Sequence, residues 1–290
     1  MSEDVATPIS ALAPRPGALA VRSHQAVSVS GDDATSFLQG QCSQDIALLG
    51  ENSSAWTFVL EPDGKLGFLV FAVRVGDGYR LLCAEKEVDG LLARLRRFAL
   101  RVAVIFATTE VTLLFGPERP QELEDAVDLI GLQCGPSLNA WMIDSEHASA
   151  GFDVDTVFDP WFTSAWFSHL DFNDACGGMN PFSFGASFIA GSCSFTKGCY
   201  TGQELVARVE ARGAQAPLQL CAFSASGPVE TGLELLRDGV SIGSVERTAI
   251  DAASGSTRGF CLVKRSALSP DGFTALAGQT EVSVRMLDAH

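Results

Sequence analysis

The run Lys197-Gly198-Cys199-Tyr200-Thr201-Gly202-Gln203-Glu204 is the stretch from which the rest of the chain can be read. Two glycines flank a thiol and a phenol, and glycine allows the tight or left-handed turns and close backbone approaches that other residues resist. Lys197 stands two residues before Cys199, and a nearby cation favours the thiolate, so the spacing points to a reactive thiol of lowered pKa. A second reading stands beside it: a free cysteine is commonly a small buried hydrophobe. After Gly202, the segment Gln203-Glu204-Leu205-Val206-Ala207-Arg208 opens a helix or a short strand, with Phe195 and Leu205-Val206 anchoring the two ends in a core. Glu204 and Arg208 have the i,i+4 spacing at which side chains pair on a helix. Tyr200 either meets a ligand or packs between lobes. Gly198 and Gly202 are structural in both accounts.

A chain of 290 residues, 47% of them hydrophobic, is long enough for two or three domains with sizeable cores. Its formal charge of −15 argues against broad, sequence-independent nucleic-acid binding, which needs basic surface. The charge is uneven: residues 120–196 contain 11 acidic residues and no Lys or Arg, so Lys197 is the first cation after Arg119. The 8 cysteines form no C-x-x-C pair, which excludes the usual zinc and iron–sulfur ligand patterns and a disulfide scaffold. Four scattered histidines add no metal cluster, so no metal bound by the chain itself is expected. The first 20 residues lack the basic cap and apolar run of a signal peptide, and no apolar stretch reaches membrane-spanning length. A cytoplasmic location and no membrane partner are the expectation.

Around the octet, the pattern predicts an α+β protein. Residues 1–20 read as a flexible leader rich in Ala, Pro and Ser. His24–Ser30 reads as a strand and Ala34–Leu38 as a helix capped by Asp32 or Asp33. Ser54–Leu60 and Leu66–Val73 flank Pro62-Asp63-Gly64-Lys65, a strong turn signal, and so form a hairpin. Tyr79–Ala84 is a third strand, and Glu85–Phe98 is an amphipathic helix with arginines near its C-terminal end. Arg101–Phe106 and Glu110–Phe115 read as two further strands, and Glu122–Ile130 has modest helical periodicity. Trp141-Met142-Ile143 is a short apolar piece, and Phe152–Phe188 is aromatic-rich without a clean period. After Arg212-Gly213, five or six short strands predict a small closed β domain. The boundaries expected are 21–118 for an N-terminal α+β lobe, 119–211 for a middle α+β lobe carrying the octet, and 212–290 for the barrel.

The octet resembles the lysine-glycine-cysteine-tyrosine-x-glycine-glutamine-glutamate signature of the YgfZ family of GcvT-like, folate-binding proteins. Val29–Ala34 with Phe37-Leu38-Gln39-Gly40-Gln41 resembles that family's opening motif, of whose next three polar residues Asp45 alone matches fully. Pro62-Asp63-Gly64-Lys65 resembles its hairpin turn, and Gly243–Val245 with Leu262-Val263-Lys264-Arg265 its terminal barrel. The likeness extends from residue 20 to 290. It is lowest over 120–194, where the family's arginine is missing and Phe182-Ser183-Phe184 replaces the glutamate that usually follows the proline.

The resemblance implies a three-lobed GcvT-like fold with a C-terminal small β-barrel and a central cleft for tetrahydrofolate or a derivative. Near that cleft it implies Cys199 as the central thiol, supported by Lys197, Gly198, Tyr200, Gly202, Gln203, Glu204 and Arg208. Asp33, Asp45, Lys65 and Tyr200 are its candidate cofactor contacts, although an aspartate after a strand also serves as a cap or turn residue. It further implies an accessory role in iron–sulfur protein maintenance or tRNA modification, with iron–sulfur client or assembly proteins as partners. Two alternatives stand with it: a folate-dependent aminomethyl or methyl transferase, and a ligand-free scaffold of the same fold.

Overall fold

The computed structural model describes residues 20–116, 129–133, 139–144, 179–211, 216–250 and 255–286. The expectations for the leader, for a helix over 122–128 and for residues 152–178 lie outside the described residues.

The N-terminal lobe is built on an antiparallel sheet of β1 (Ala20–Ser30), β2 (Ser54–Leu60), β3 (Leu66–Val75), β4 (Gly78–Leu82), β5 (Ile105–Gly116), β6 (Leu129–Gln133) and β7 (Asn139–Asp144). Their spatial order is β2-β3-β4-β1-β5-β7-β6. Strand β3 shows why a nearly unbroken apolar run becomes a central strand. Because side chains alternate across a sheet, Phe68, Val70 and Ala72 join one core, and Phe71 and Val73 join another on the opposite face. Helices α1 (Ala34–Gln41) and α2 (Val88–Phe98) cover the first face, inserting Phe37 and Leu38 from α1 and Val88, Leu91, Leu92 and Leu95 from α2. The latter four sit at the spacing that puts them on one helical stripe.

Two differences from the sequence reading follow from backbone pairing. The strands expected at 101–106 and 110–115 are one, β5, which pairs with β1 without a break from Ile105 opposite Ser30 to Phe115 opposite Ala20. The polar run Ala107-Thr108-Thr109-Glu110 does not interrupt it, because the ladder bonds are main-chain and threonine suits a pleated surface. Residues 101–104 are outside the strand, and Arg101 takes a left-handed turn with φ +61°. The sheet also crosses the boundary expected at 118, since β7 pairs with β5 and β6 with β7. Leu129 and Ile130, read as the end of a helical segment, therefore belong to a strand.

The C-terminal lobe is a closed six-stranded barrel of β8 (Leu218–Ala225), β9 (Glu234–Arg237), β10 (Val240–Ile250), β11 (Thr257–Lys264), β12 (Phe273–Ala277) and β13 (Thr280–Met286), in the order β10-β11-β8-β13-β12-β9. Alternation again divides the residues. Cys221, Phe223 and Ala225 point into the barrel core, whereas Leu220 and Ala222 point out, joined by Phe260 and Leu262 of β11. Those outward residues meet Phe58, Leu60, Leu66 and Leu69 of the β2–β3 hairpin in a shared apolar layer. The linking segment fills the rest of that layer. It comprises a 3-10 turn at Pro181–Phe184, started by Asn180 Oδ1 accepting from Phe182 N at 3.0 Å, then α3 (Ala186–Ser192), the octet and α4 (Gln203–Ala211).

Candidate functional site

Two segments far from the octet in the chain converge on it. The loop after α1 supplies the first set of contacts. Ser43 Oγ donates to Ser192 O at 2.6 Å and accepts from Phe58 N at 2.8 Å, and Ser43 O accepts from Ser194 N at 2.9 Å. Gln44 Nε2 donates to Gly191 O at 2.7 Å. One hydroxyl thus ties α3 to β2, and the Gln44 amide ties α3 to the same loop. Gly40 O accepts from Thr201 N at 3.1 Å, so α1 is tied to the octet itself.

The hairpin turn supplies the second set. Gly64 and Gly202 both have positive φ, +79° and +80°, and their backbones meet. A Cβ on Gly202 would lie 2.6 Å from Glu61 O, 2.8 Å from Leu60 Cβ and 3.2 Å from Gly64 Cα. A Cβ on Gly64 would run into Leu205. Each glycine is required twice, by its φ and by the surface it touches. Gly198 differs: it has no left-handed φ, and nothing lies within 4 Å of its added Cβ. Gln203 closes the turn, with its Oε1 accepting from Tyr200 N at 3.3 Å and its own N donating to Tyr200 O at 3.2 Å.

The charged and titratable residues of the octet sort by the side they face. Lys197 turns inward: its Nζ donates to Cys42 O at 2.7 Å and Gln44 O at 2.8 Å and lies 5.0 Å from the centroid of the Tyr200 ring. Burial lowers the Lys197 pKa, with Cys42, Asp45 and Cys193 opposing the shift. Its charge therefore acts on the α1 loop and on Cys193. Cys199 faces solvent. Tyr200 is 6% exposed, and burial, then Cys193, raises its pKa above the usual phenol range. Glu204 and Arg208 are both exposed on α4.

Beside the octet, between α3 and the barrel, lies a cavity of about 790 Å³. Its lining includes Phe182, Ile189, Phe195, Leu268 and Met286, with Glu210 and Arg265 as its charged members. Cys193, not Cys199, is the thiol in this wall. Burial pushes the Cys193 thiol up to about 11, against hydrogen bonds from Ser43 and Ser192. It is a neutral S–H at physiological pH.

The three remaining candidates are occupied elsewhere and are absent from the wall of this cavity. Asp33 Oδ2 accepts from Ala103 N at 2.7 Å, which pins the strand-to-helix turn to the segment entering β5. Asp45 Oδ1 accepts from Gln39 Nε2 at 2.8 Å. Lys65 is exposed at the hairpin tip, where it pairs with Asp63 at 3.4 Å. Sequence reasoning missed Arg94, a buried guanidinium that donates to Gln41 Oε1 and to Leu60 O, both at 3.1 Å, and stacks 3.9 Å from the centre of the Phe98 ring. Its place on the polar side of α2 hid it. Among the described residues, no group of three His, Cys, Asp or Glu side chains converges as a metal site, and no helix is long and apolar enough to cross a membrane.

No family model matches the chain. Curated relatives do. The tRNA-modifying protein YgfZ of Enterobacter sp. (strain 638) is 29% identical, the match covering 72% of this chain and 72% of that protein. The protein of the same name from Escherichia coli (strain SE11) is 26% identical with the same coverage of each chain. Among solved structures, the glycine cleavage system aminomethyltransferase T of Bartonella henselae superposes with a TM-score of 0.67 at 14% identity, over 95% of this chain and 87% of that one. The chain is thus similar to the YgfZ proteins over most of its length and carries the fold of aminomethyltransferase T.

Proposed function

We propose that the chain is a YgfZ-type accessory protein of tRNA modification that holds a tetrahydrofolate-class ligand in the cavity between α3 and the barrel, and that it supports iron–sulfur proteins in that role. The tRNA-modifying names of its relatives support the first part. The observation that carries the ligand is the cavity, which adjoins the octet and whose wall suits such a molecule. At about 790 Å³ it lies within the range of small-molecule sites, roughly 300–1,000 Å³. Phe182 and Phe195 offer flat apolar faces to a fused ring. Arg265 offers a charge-assisted fork to a carboxylate tail, and Glu210 accepts from ring N–H groups. A folate, when bound, would supply one-carbon chemistry.

Cys199 is exposed and so accessible to a partner protein. The formal charge of −15 favours a route to tRNA through such a partner over broad direct contact with the nucleic acid.

Calorimetry with 5-formyltetrahydrofolate tests the reading. Wild type is expected to bind, Arg265→Gln to bind about tenfold or more weakly for the loss of a charge-assisted bond, and Cys199→Ala to bind normally while failing to support tRNA modification in cells. No binding by the wild type overturns the ligand assignment, and full function of Cys199→Ala overturns the role of the thiol. The fold of aminomethyltransferase T favours a second reading, aminomethyl or methyl transfer to tetrahydrofolate. Such a reaction needs a carboxylate placed near the folate nitrogen, and Glu210 is the carboxylate in the wall. Turnover in vitro that Glu210→Gln abolishes would establish it.

A further inference from the structure

The octet holds two glycines, and the fold accounts for only one of them. Gly202 is fixed by its left-handed φ and by the hairpin backbone against which it lies. Gly198 has neither reason: its φ is outside the left-handed range, and an added Cβ would meet nothing within 4 Å. A glycine at such a position carries a cost, since it widens the unfolded ensemble that folding must order, and alanine would serve the fold as well or better. A use for the bare Cα is therefore to be sought outside the chain.

The main chain at this point is equally open. Ser194 N donates to Ser43 O, Lys197 N to Ser194 Oγ, Tyr200 N to Gln203 Oε1 and Thr201 N to Gly40 O, so the segment is pinned on both sides. Between these ties, Gly198 and Cys199 make no backbone hydrogen bond among the described residues, and both face solvent. Two consecutive residues thus present their N–H and C=O groups on a held frame, the kind of edge to which an extended segment of another chain adds by main-chain pairing. Phe195, 41% exposed, supplies an apolar side chain three residues before the glycine, and aromatic side chains are enriched where proteins meet.

We infer that Gly198 is kept bare as the clearance over which a partner protein lays its main chain to reach the Cys199 sulfur. The visitor at this thiol is then a protein segment in extended conformation. A small molecule needs no such clearance, because one methyl group beside an exposed sulfur leaves it open. The inference rests on the reading that Cys199 serves a partner protein, and adds how that partner is admitted and which residue sets the fit.

The test compares Gly198→Ala and Gly198→Val with wild type, and takes Gly131→Ala, at an equally open glycine of β6, as control. Mass spectrometry of tRNA nucleosides reads modification in cells, labelling of Cys199 by N-ethylmaleimide reads access by a small reagent, and urea unfolding reads stability. Modification should fall with alanine and further with valine, the latter by about tenfold or more, as when one side chain overfills a packed contact. The labelling rate and the urea midpoint should stay at or above wild type, and the control should modify normally. Full modification by Gly198→Val overturns the inference. So does a fall in labelling or in stability that accompanies the loss, because the glycine would then serve the sulfur or the fold and not a visitor. A photo-crosslinker at the exposed Thr196 should yield a protein adduct that Gly198→Val removes. No adduct, an adduct to RNA, or one to a second copy of this chain overturns the choice of partner. Full function of Cys199→Ala overturns the parent reading and this one together.

Discussion

Replacing Gly202 by alanine measures the contact on which the octet depends. At φ +80° an alanine pays about 1–2 kcal/mol for the left-handed backbone. Its Cβ would also lie 2.6 Å from a carbonyl oxygen, Glu61 O, and 2.8 Å from Leu60 Cβ. Neither is the free end of a flexible side chain, so the hairpin turn and the octet must part, an overpacking cost of about 1–3 kcal/mol. The sum is about 2–5 kcal/mol. Urea unfolding followed by circular dichroism reads it directly. Gly198→Ala is the internal control: it is four residues away in the same motif, with no left-handed φ and nothing within 4 Å of the new Cβ, and should change stability by less than about 0.5 kcal/mol. Gly64→Ala should resemble Gly202→Ala, and the double variant should lose less than the two singles added, because either change already opens the shared contact. Equal effects at 198 and 202, or strict additivity of 64 with 202, would refute the backbone-on-backbone packing.

Three further outcomes are expected. Ser43→Ala strands Phe58 N–H and Ser192 C=O in a buried place and should cost about 2–4 kcal/mol in urea unfolding, against a negligible loss for Ser36→Ala at an exposed position. Alkaline pH should weaken the fold: burial holds the thiols of Cys42 and Cys193 up at about 11 and those of Cys83 and Cys221 at about 12. Below the ordinary thiol value near 9 these groups contribute no pH dependence; above it the unfolded chain releases protons that the folded chain retains, so stability falls, by about 1 kcal/mol per thiol at pH 10. Cys193→Ala should flatten that slope by one such share. Finally, a maleimide should label Cys199 quickly in the native protein and the buried Cys193 slowly, as read by mass spectrometry of the labelled peptides.

Legibility in the sequence followed periodicity. Helix α2 and the barrel strands carry a period of 3.6 or two that burial enforces, the β2–β3 hairpin is two apolar runs marked off by its turn residues, and each was readable to within a few residues. Strand β5 was read as two because four consecutive small or polar residues mask a ladder made by the main chain. Strand β6 was read as part of a helix because a short apolar run bears no decisive period. The octet itself was readable as a motif, but the direction of each side chain was not. Lys197, Cys199 and Tyr200 occupy irregular backbone, where neighbours do not alternate by rule, and their orientations are set by Cys42, Gln44 and the hairpin tip, some 135–155 residues away in sequence. The cavity wall was hidden for the same reason. Phe182, Cys193, Glu210 and Arg265 come from four separate segments, and only the aromatic richness before residue 188 hinted that something gathers there.

The knot that Ser43 and Gly64 make with residues 191–202 also has a temporal side. On the ribosome, the first strands and helices emerge well over a hundred residues before the segment that will cap them. The nascent domain must wait with a polar socket and an apolar hairpin tip unfilled, as long-range closure is slow and exposed surface invites misassociation. Arrival of Gly202 would then act as the latch of the late stage of synthesis, and truncations ending before it should leave a chain that holds its early sheet but remains prone to aggregate.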